Sequence, residues 1–292
     1  MNDVRAIRLH TGASLALALA SLVTLAAFGW PFLLDPSGGS EASAHGSDAP
    51  WDYVLVLPLL AAIVLAELNA GGIDAKAIAL LGMLASVGGA LRALSPGVAG
   101  LEPSFAIIIL GGRVFGRGFG FVLGCLSLFV GALLTGGVGP WLPFQMMAAG
   151  WVGFISGCLP RMRGRTEVVV LASLGFVLGL VYGALMNLWF WPFGVYGEGQ
   201  SFEAGAGAPE NLANYARYYL ITSMIWDFAR GIFTFLLVLL AGAPLLRALR
   251  RVSRLANFEA APTFVPGAAS ASASSSATSS GSAPETTPVE AR

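Results

Sequence analysis

Eight apolar runs decide what this chain can become. They lie at about 12–34, 52–68, 75–95, 101–113, 119–135, 143–160, 166–190 and 217–242. Most come close to the roughly 20 residues that carry a helix across a bilayer. Lipid offers no water to an unpaired backbone N–H or C=O, so such runs fold as helices that satisfy their amides internally. Composition agrees: of 292 residues, 56% are hydrophobic and only 11% charged, where a soluble domain carries about a quarter. The expected fold is an all-α integral membrane protein of about eight crossings, the run from Leu101 to Arg113 being a short one.

Charge is sorted along the chain in a way that supports this count. With the N-terminus inside, the cytoplasmic segments hold Arg5, Arg8, Lys76, Arg113, Arg117, Arg161, Arg163, Arg165, Arg247, Arg250, Arg251 and Arg254. The outer segments hold Asp35, Glu41, Asp48, Asp52, Glu102, Glu198, Glu203 and Glu210, and the only bases there, Arg92 and Arg217, stand near helix ends. Positive loops stay inside. Dropping the short span would put Arg161, Arg163 and Arg165 outside, so eight crossings are expected, with both termini cytoplasmic and the chain multi-pass in the cell membrane. The formal net charge of zero argues against nucleic acid, whose binders carry a basic field.

The first run has some features of a signal peptide: Arg5 and Arg8 precede it, and Ala42-Ser-Ala44 follows. It is long for a signal and the small-residue site lies well past it, so an uncleaved helix is expected. Beyond Arg254 the chain becomes rich in Ala, Ser, Thr and Pro, too poor in apolar residues to bury a core, and disorder is expected. No ATP-binding loop and no long internal repeat is visible.

Catalytic equipment is thin. His10 and His45 have no partner at metal spacing, so neither a metal site nor a cofactor is expected. Cys125 and Cys158 fall in apolar runs, where a small hydrophobic role is expected. Gly111-Gly112 and Gly116-Xaa-Gly118-Xaa-Gly120 have no preceding strand, so a tight turn and close helix packing are expected rather than a phosphate loop.

Polar groups at membrane depth are more informative. Asp227 and Arg230, three residues apart on one helix face, are costly in lipid and face a protein interior or cavity, as a packing ion pair or as ligand contacts. Asn187 stands beside Trp189, Phe190, Trp191, Pro192 and Phe193 at the head of a Gly-rich acidic loop, as an interfacial belt or as a ligand wall. In Gly136-Gly-Val-Gly-Pro-Trp-Leu-Pro-Phe-Gln145 the glycines and prolines break the helix. Trp141 and Phe144 add apolar surface and Gln145 adds a donor and an acceptor, the make-up of a pocket. In the third run, Ala75, Ala79, Gly82, Ser86 and Ala90 recur at three- or four-residue spacing, permitting close approach of another helix, within the bundle or from a different subunit.

Together these segments resemble the substrate-specific (S) components of energy-coupling-factor (ECF) transporters. The matching text is Asp74-Ala-Lys-Ala, Pro103-Ser-Phe105, Gly112-Arg-Val-Phe-Gly116, Gly137-Val-Gly-Pro-Trp-Leu-Pro-Phe-Gln-Met146, Met186-Asn-Leu-Trp-Phe-Trp-Pro-Phe193 and Trp226-Asp-Phe-Ala-Arg230. The resemblance implies a six-helix S-component core over 73–254, preceded by a 1–72 region with two additional helices and followed by a 255–292 tail. It implies a subunit that is no enzyme. Such a subunit captures a vitamin-sized molecule outside and docks on a transmembrane coupling (T) subunit, whose two partner ATPases supply the energy. The implied docking stripe is Ala75, Ala79, Gly82 and Ser86. The candidate substrate contacts are Phe105, Trp141, Phe144, Gln145, Asn187, Trp189, Trp191, Asp227 and Arg230. Within the family the chain looks most like the actinobacterial cobalamin-type group, departing from it at Thr234, where related helices often carry Asn. The alternatives are an S component for another vitamin such as riboflavin, an integral-membrane enzyme acting on lipid, and an assembly protein without a ligand.

Overall fold

The computed structural model describes residues 11–33, 75–94 and 100–256, and all regular structure among them is helical. Helix α1 is Thr11–Leu33, α2 Ala75–Leu94, α3 Ser104–Phe115, α4 Arg117–Thr135, α5 Leu142–Cys158, α6 Gly164–Phe190, α7 Ala208–Tyr218 and α8 Met224–Ala256. Four stretches, Ala75–Leu94, Arg117–Thr135, Gly164–Phe193 and Ala208–Arg254, are long and apolar enough to cross a membrane. Leu17–Leu33 and Ser104–Phe115 are shorter apolar helices. The expected crossing at 52–68, both histidines, the Ala42-Ser-Ala44 site and the tail from 257 lie outside the described residues.

Helix α3 is short because it is an axle rather than a wall. Phe105, Ile108, Ile109, Leu110 and Phe115 are completely buried, and α2, α4, α5, α6 and α8 all pack on it. At 1.5 Å per residue it is about 18 Å long, against roughly 30 Å of hydrocarbon. Neighbouring protein shelters both its ends, so it need not reach water by itself. Glycine makes the close approach possible. A Cβ on Gly112, Gly120 or Gly153 would strike the backbone of a facing helix. Gly116, at φ +97°, supplies the one-residue turn from α3 to α4. The glycine-rich segment thus makes a turn and a packing surface, as expected.

Gly136, at φ +66°, caps α4, and the chain re-enters a helix at Leu142, so the expected break between these crossings is present. The last apolar run differs most from expectation. Its expected bounds are 217–242, but α7, a π-helical turn at Tyr219–Ser223 and α8 form a continuous path from Ala208 to Ala256. Pro209 in the first turn starts it, and the Ala-, Leu- and Arg-rich sequence after Pro244 keeps it helical beyond the apolar stretch. Helix α1 packs on α5, α6 and α7.

Candidate functional site

The short link from α2 to α3 carries Glu102, which is 7% exposed. Its carboxylate accepts from Arg92 Nη1 at 2.8 Å and from Ser104 Oγ at 2.7 Å. Arg92 Nη2 also donates to Gln145 Oε1 on α5 at 3.0 Å. One arginine therefore ties together the end of α2, the link and the first turn of α5. Burying such charges costs several kcal/mol each unless they are paired and hydrogen-bonded, as these are.

A second polar set joins α6 to α8. Arg230 pairs with Asp227, three residues earlier on the same helix face. Asn187 Nδ2 donates to the Gly183 carbonyl at 2.8 Å and to Asp227 Oδ2 at 3.2 Å. Its Oδ1 accepts from Ser223 Oγ at 2.8 Å and from Tyr218 Oη at 3.4 Å, so the amide is saturated by protein. Gly183 is required here, because a Cβ would overlap the Asp227 carboxylate.

Tyr182 lies between the two sets. The Arg230 guanidinium stands 5.5 Å over its ring, and Phe105 meets that ring edge-on at 4.9 Å. Its hydroxyl lies against the Arg92 guanidinium, with Glu102 and Arg230 also within electrostatic reach, yet it is buried without a well-formed hydrogen bond. An unpaired buried hydroxyl costs about 1–3 kcal/mol. Beside this cluster runs an aromatic wall: Phe144 lies 5.9 Å from Trp189, and Trp141 lies 6.4 Å from Trp189 and 6.3 Å from Phe190. Trp141 Nε1 donates to the Gly137 carbonyl at 3.3 Å, and its ring occupies the space where Gly139 would otherwise carry a Cβ.

Phe105, Gln145, Asn187, Asp227 and Arg230 thus belong to one connected neighbourhood, with Trp141, Phe144 and Trp189 along its side. Trp191 stands apart. It is fully buried, and its indole N–H donates to the Gln200 carbonyl at 2.7 Å, making it the pillar of a cap over residues 191–218. Sequence reasoning expected an open loop there, but the cap contains α7. Inside it, the Asn211 side chain accepts from the Glu203 N–H and donates to the Glu203 carbonyl, each at 3.0 Å. Asn214 Nδ2 donates to the Ser201 carbonyl at 3.2 Å. Burial, together with its contact with Tyr218, pushes the Tyr196 phenol up to about 12. Sequence reasoning missed Arg92, Glu102, Ser104 and Tyr182 as site residues. The two charges were visible near helix ends, whereas Tyr182 sits in an apolar run without a local signal.

Grooves on the described bundle are apolar. A cleft of about 190 Å³ between α1, α5 and α6 reaches Tyr182 and is lined by Ser21, Trp151 and Leu185 among others. A groove of about 350 Å³ between α6 and α8 is apolar but for Ser173 and touches none of the polar cluster. The cleft is below the roughly 300–1,000 Å³ usual for small-molecule pockets, and of the polar cluster and the aromatic wall it touches Tyr182 alone.

At the opposite end of α3, Glu167 is 1% exposed and accepts from Arg113 Nε at 2.7 Å and Arg250 Nη2 at 2.6 Å. Arg113 also donates to the Leu159 carbonyl at 2.9 Å. Helices α3, α6 and α8 are therefore pinned together at the arginine-rich end. On α2, Ala77, Leu80, Leu81, Leu84 and Ala85 are buried, while Ala75, Ala79, Gly82 and Ser86 are exposed. Ser86 Oγ is spent on the Gly82 carbonyl at 2.8 Å, and Gly82 has no neighbouring atom where a Cβ would stand. The stripe faces away from the described helices.

A family model for the ECF transporter substrate-specific component matches residues 76–242, more than half of the chain. No curated protein and no solved structure matches it.

Proposed function

The chain belongs to the substrate-specific components of ECF transporters, and from that membership we propose that the polar cluster around Tyr182 and its aromatic wall receive a vitamin on the outer side of the cell membrane. Membership makes the chain a transport subunit rather than an enzyme, working with T and ATPase subunits on a small-molecule substrate. The observation that carries the site is the orphaned Tyr182 hydroxyl. A buried hydroxyl set against the Arg92 guanidinium without a well-formed hydrogen bond is one that a ligand group would satisfy better. Arg92, Glu102 and Arg230 stand within electrostatic reach of it, and with Asp227, paired to Arg230, they balance in charge, which suits a neutral or zwitterionic polar group. Phe105, Phe144, Trp141 and Trp189 suit a flat apolar body.

Cobalamin or a related corrinoid is the first candidate, because the motif text is most like the cobalamin-type group. Riboflavin is the second, a smaller flat molecule that the same aromatic wall would suit. The exposure of Ala75, Ala79, Gly82 and Ser86 among the described residues supports docking on the T subunit. Mass spectrometry of small molecules carried through detergent purification tests the proposal. A stoichiometric vitamin is expected from wild type and is expected to be depleted from Trp189→Ala. A bound lipid in its place, or equal vitamin in both proteins, contradicts it.

A further inference from the structure

Helix α1 lies outside the family-matched residues 76–242, yet it is built into the site's surroundings. Leu17, Ala20, Thr24, Phe28 and Pro31 form its buried face, while Leu15, Leu19, Leu22 and Leu25 are exposed to where lipid would stand. Along this face Trp151 Nε1 donates to Ser21 Oγ at 3.0 Å, and Phe28 lies 5.0 Å from Phe144 of the aromatic wall. The last turn then reaches past the wall to the cap. Trp30 lies 5.5 Å from Phe202 and 6.5 Å from Phe193, and Phe32 lies 6.1 Å from Trp191 and 6.5 Å from Tyr215. These four rings come from the start, middle and end of the cap.

The cap is coherent within itself, through Trp191, Asn211 and Asn214. Its hydrogen bonds to the bundle include those from Tyr215 Oη to the Ala184 carbonyl and from Tyr218 Oη to Asn187. Both sit at the α7 end. Around Phe202 and Phe193 the cap packs on Trp30 of α1, Phe193 lying also 5.8 Å from Trp189 of α6. We propose that α1 is a strap: Trp30 and Phe32 are positioning residues that hold the cap closed over the Tyr182 cluster, so that opening of the cap waits on release of the α1 end. The strap stands on the cap's packing alone; only the identity of what passes beneath it rests on the vitamin-capture reading.

Hydrogen–deuterium exchange of the full-length protein in lipid nanodiscs tests the strap without any ligand, so its failure is distinct from failure of the capture reading. In Trp30→Ala/Phe32→Ala, amides of 194–218 are expected to exchange roughly tenfold to a hundredfold faster than in wild type, since several ring contacts are lost at once. Amides of α3 and α4 are expected to keep their wild-type rates. Unchanged exchange in 194–218 overturns the proposal. Should α3 and α4 also accelerate, Trp30→Leu, which keeps apolar bulk but loses the indole's reach to Phe202, is read instead. It is expected to accelerate the cap alone by a smaller factor, and cap exchange equal to wild type overturns the strap.

Discussion

At the scale of single residues, Tyr182 separates binding from folding. Its hydroxyl makes no well-formed hydrogen bond, so Tyr182→Phe is expected to leave the ligand-free melting temperature unchanged or to raise it, by up to about 1 kcal/mol of stability. The same change is expected to weaken ligand binding about tenfold, as loss of one hydrogen bond of about 1.4 kcal/mol would. A lowered melting temperature in ligand-free protein contradicts the orphaned hydroxyl. Glu167 is the opposite case. It anchors Arg113 and Arg250, and Glu167→Gln leaves two guanidiniums without their counter-charge, for an expected loss of about 3 kcal/mol in thermal or denaturant unfolding. A loss below about 1 kcal/mol would mean that solvent screens this end. What the sequence disclosed follows from residue type. Gln145, Asn187, Asp227 and Arg230 stood out because polar groups are rare at membrane depth. Tyr182 and Glu167 did not, because a tyrosine passes as apolar and Glu167 sits beside an arginine-rich turn that accounts for it locally.

At the scale of elements, the small-residue stripe on α2 gives the clearest forecast. The helix buries Leu80, Leu81 and Leu84 on one side and exposes Ala75, Ala79, Gly82 and Ser86 on the other, so added bulk on the stripe meets no part of its own described bundle. Ala75→Leu/Ala79→Leu is expected to preserve folding and ligand binding by the isolated subunit while abolishing uptake in cells. Loss of binding would show that the stripe packs inward. Its spacing was legible in the sequence, but its direction was not, because small residues at these intervals serve inner and outer contacts equally. Helix α7 was illegible for another reason. It is 11 residues long and polar on average, so no apolar period announced it, and its place is set by Asn211, Asn214 and Tyr215 bonding to the cap and to α6.

At the scale of the whole molecule, the tryptophan wall and the acidic cap lie at one end of the bundle and the cluster of Arg113, Arg250 and Glu167 at the other. The native cysteines report on that polarity: Cys158 is exposed beside the arginine-rich turn and Cys125 is buried. On intact cells an impermeant maleimide is expected to spare the wild type, to label Ala204→Cys in the cap, and to reach Cys158 only after permeabilisation. Labelling of Cys158 on intact cells would invert the orientation. The apolar runs made the helical class readable from the sequence, and the motif blocks made the family readable. The meeting of Arg92, Glu102, Gln145 and Tyr182 was not, since Arg92 and Gln145 are 53 positions apart and only the packing of α2, α3, α5 and α6 around one point unites them. Capture of a vitamin at that point is tested most directly by titrating purified full-length protein with labelled cobalamin, and with riboflavin and biotin in parallel. Saturable binding of one vitamin is predicted, weakened about tenfold to a hundredfold by Trp189→Ala, as loss of an aromatic contact worth roughly 1–3 kcal/mol requires, and unchanged by the exposed Arg247→Ala at the opposite end. Binding that ignores Trp189→Ala, or well-folded protein that binds none of the three, would contradict it.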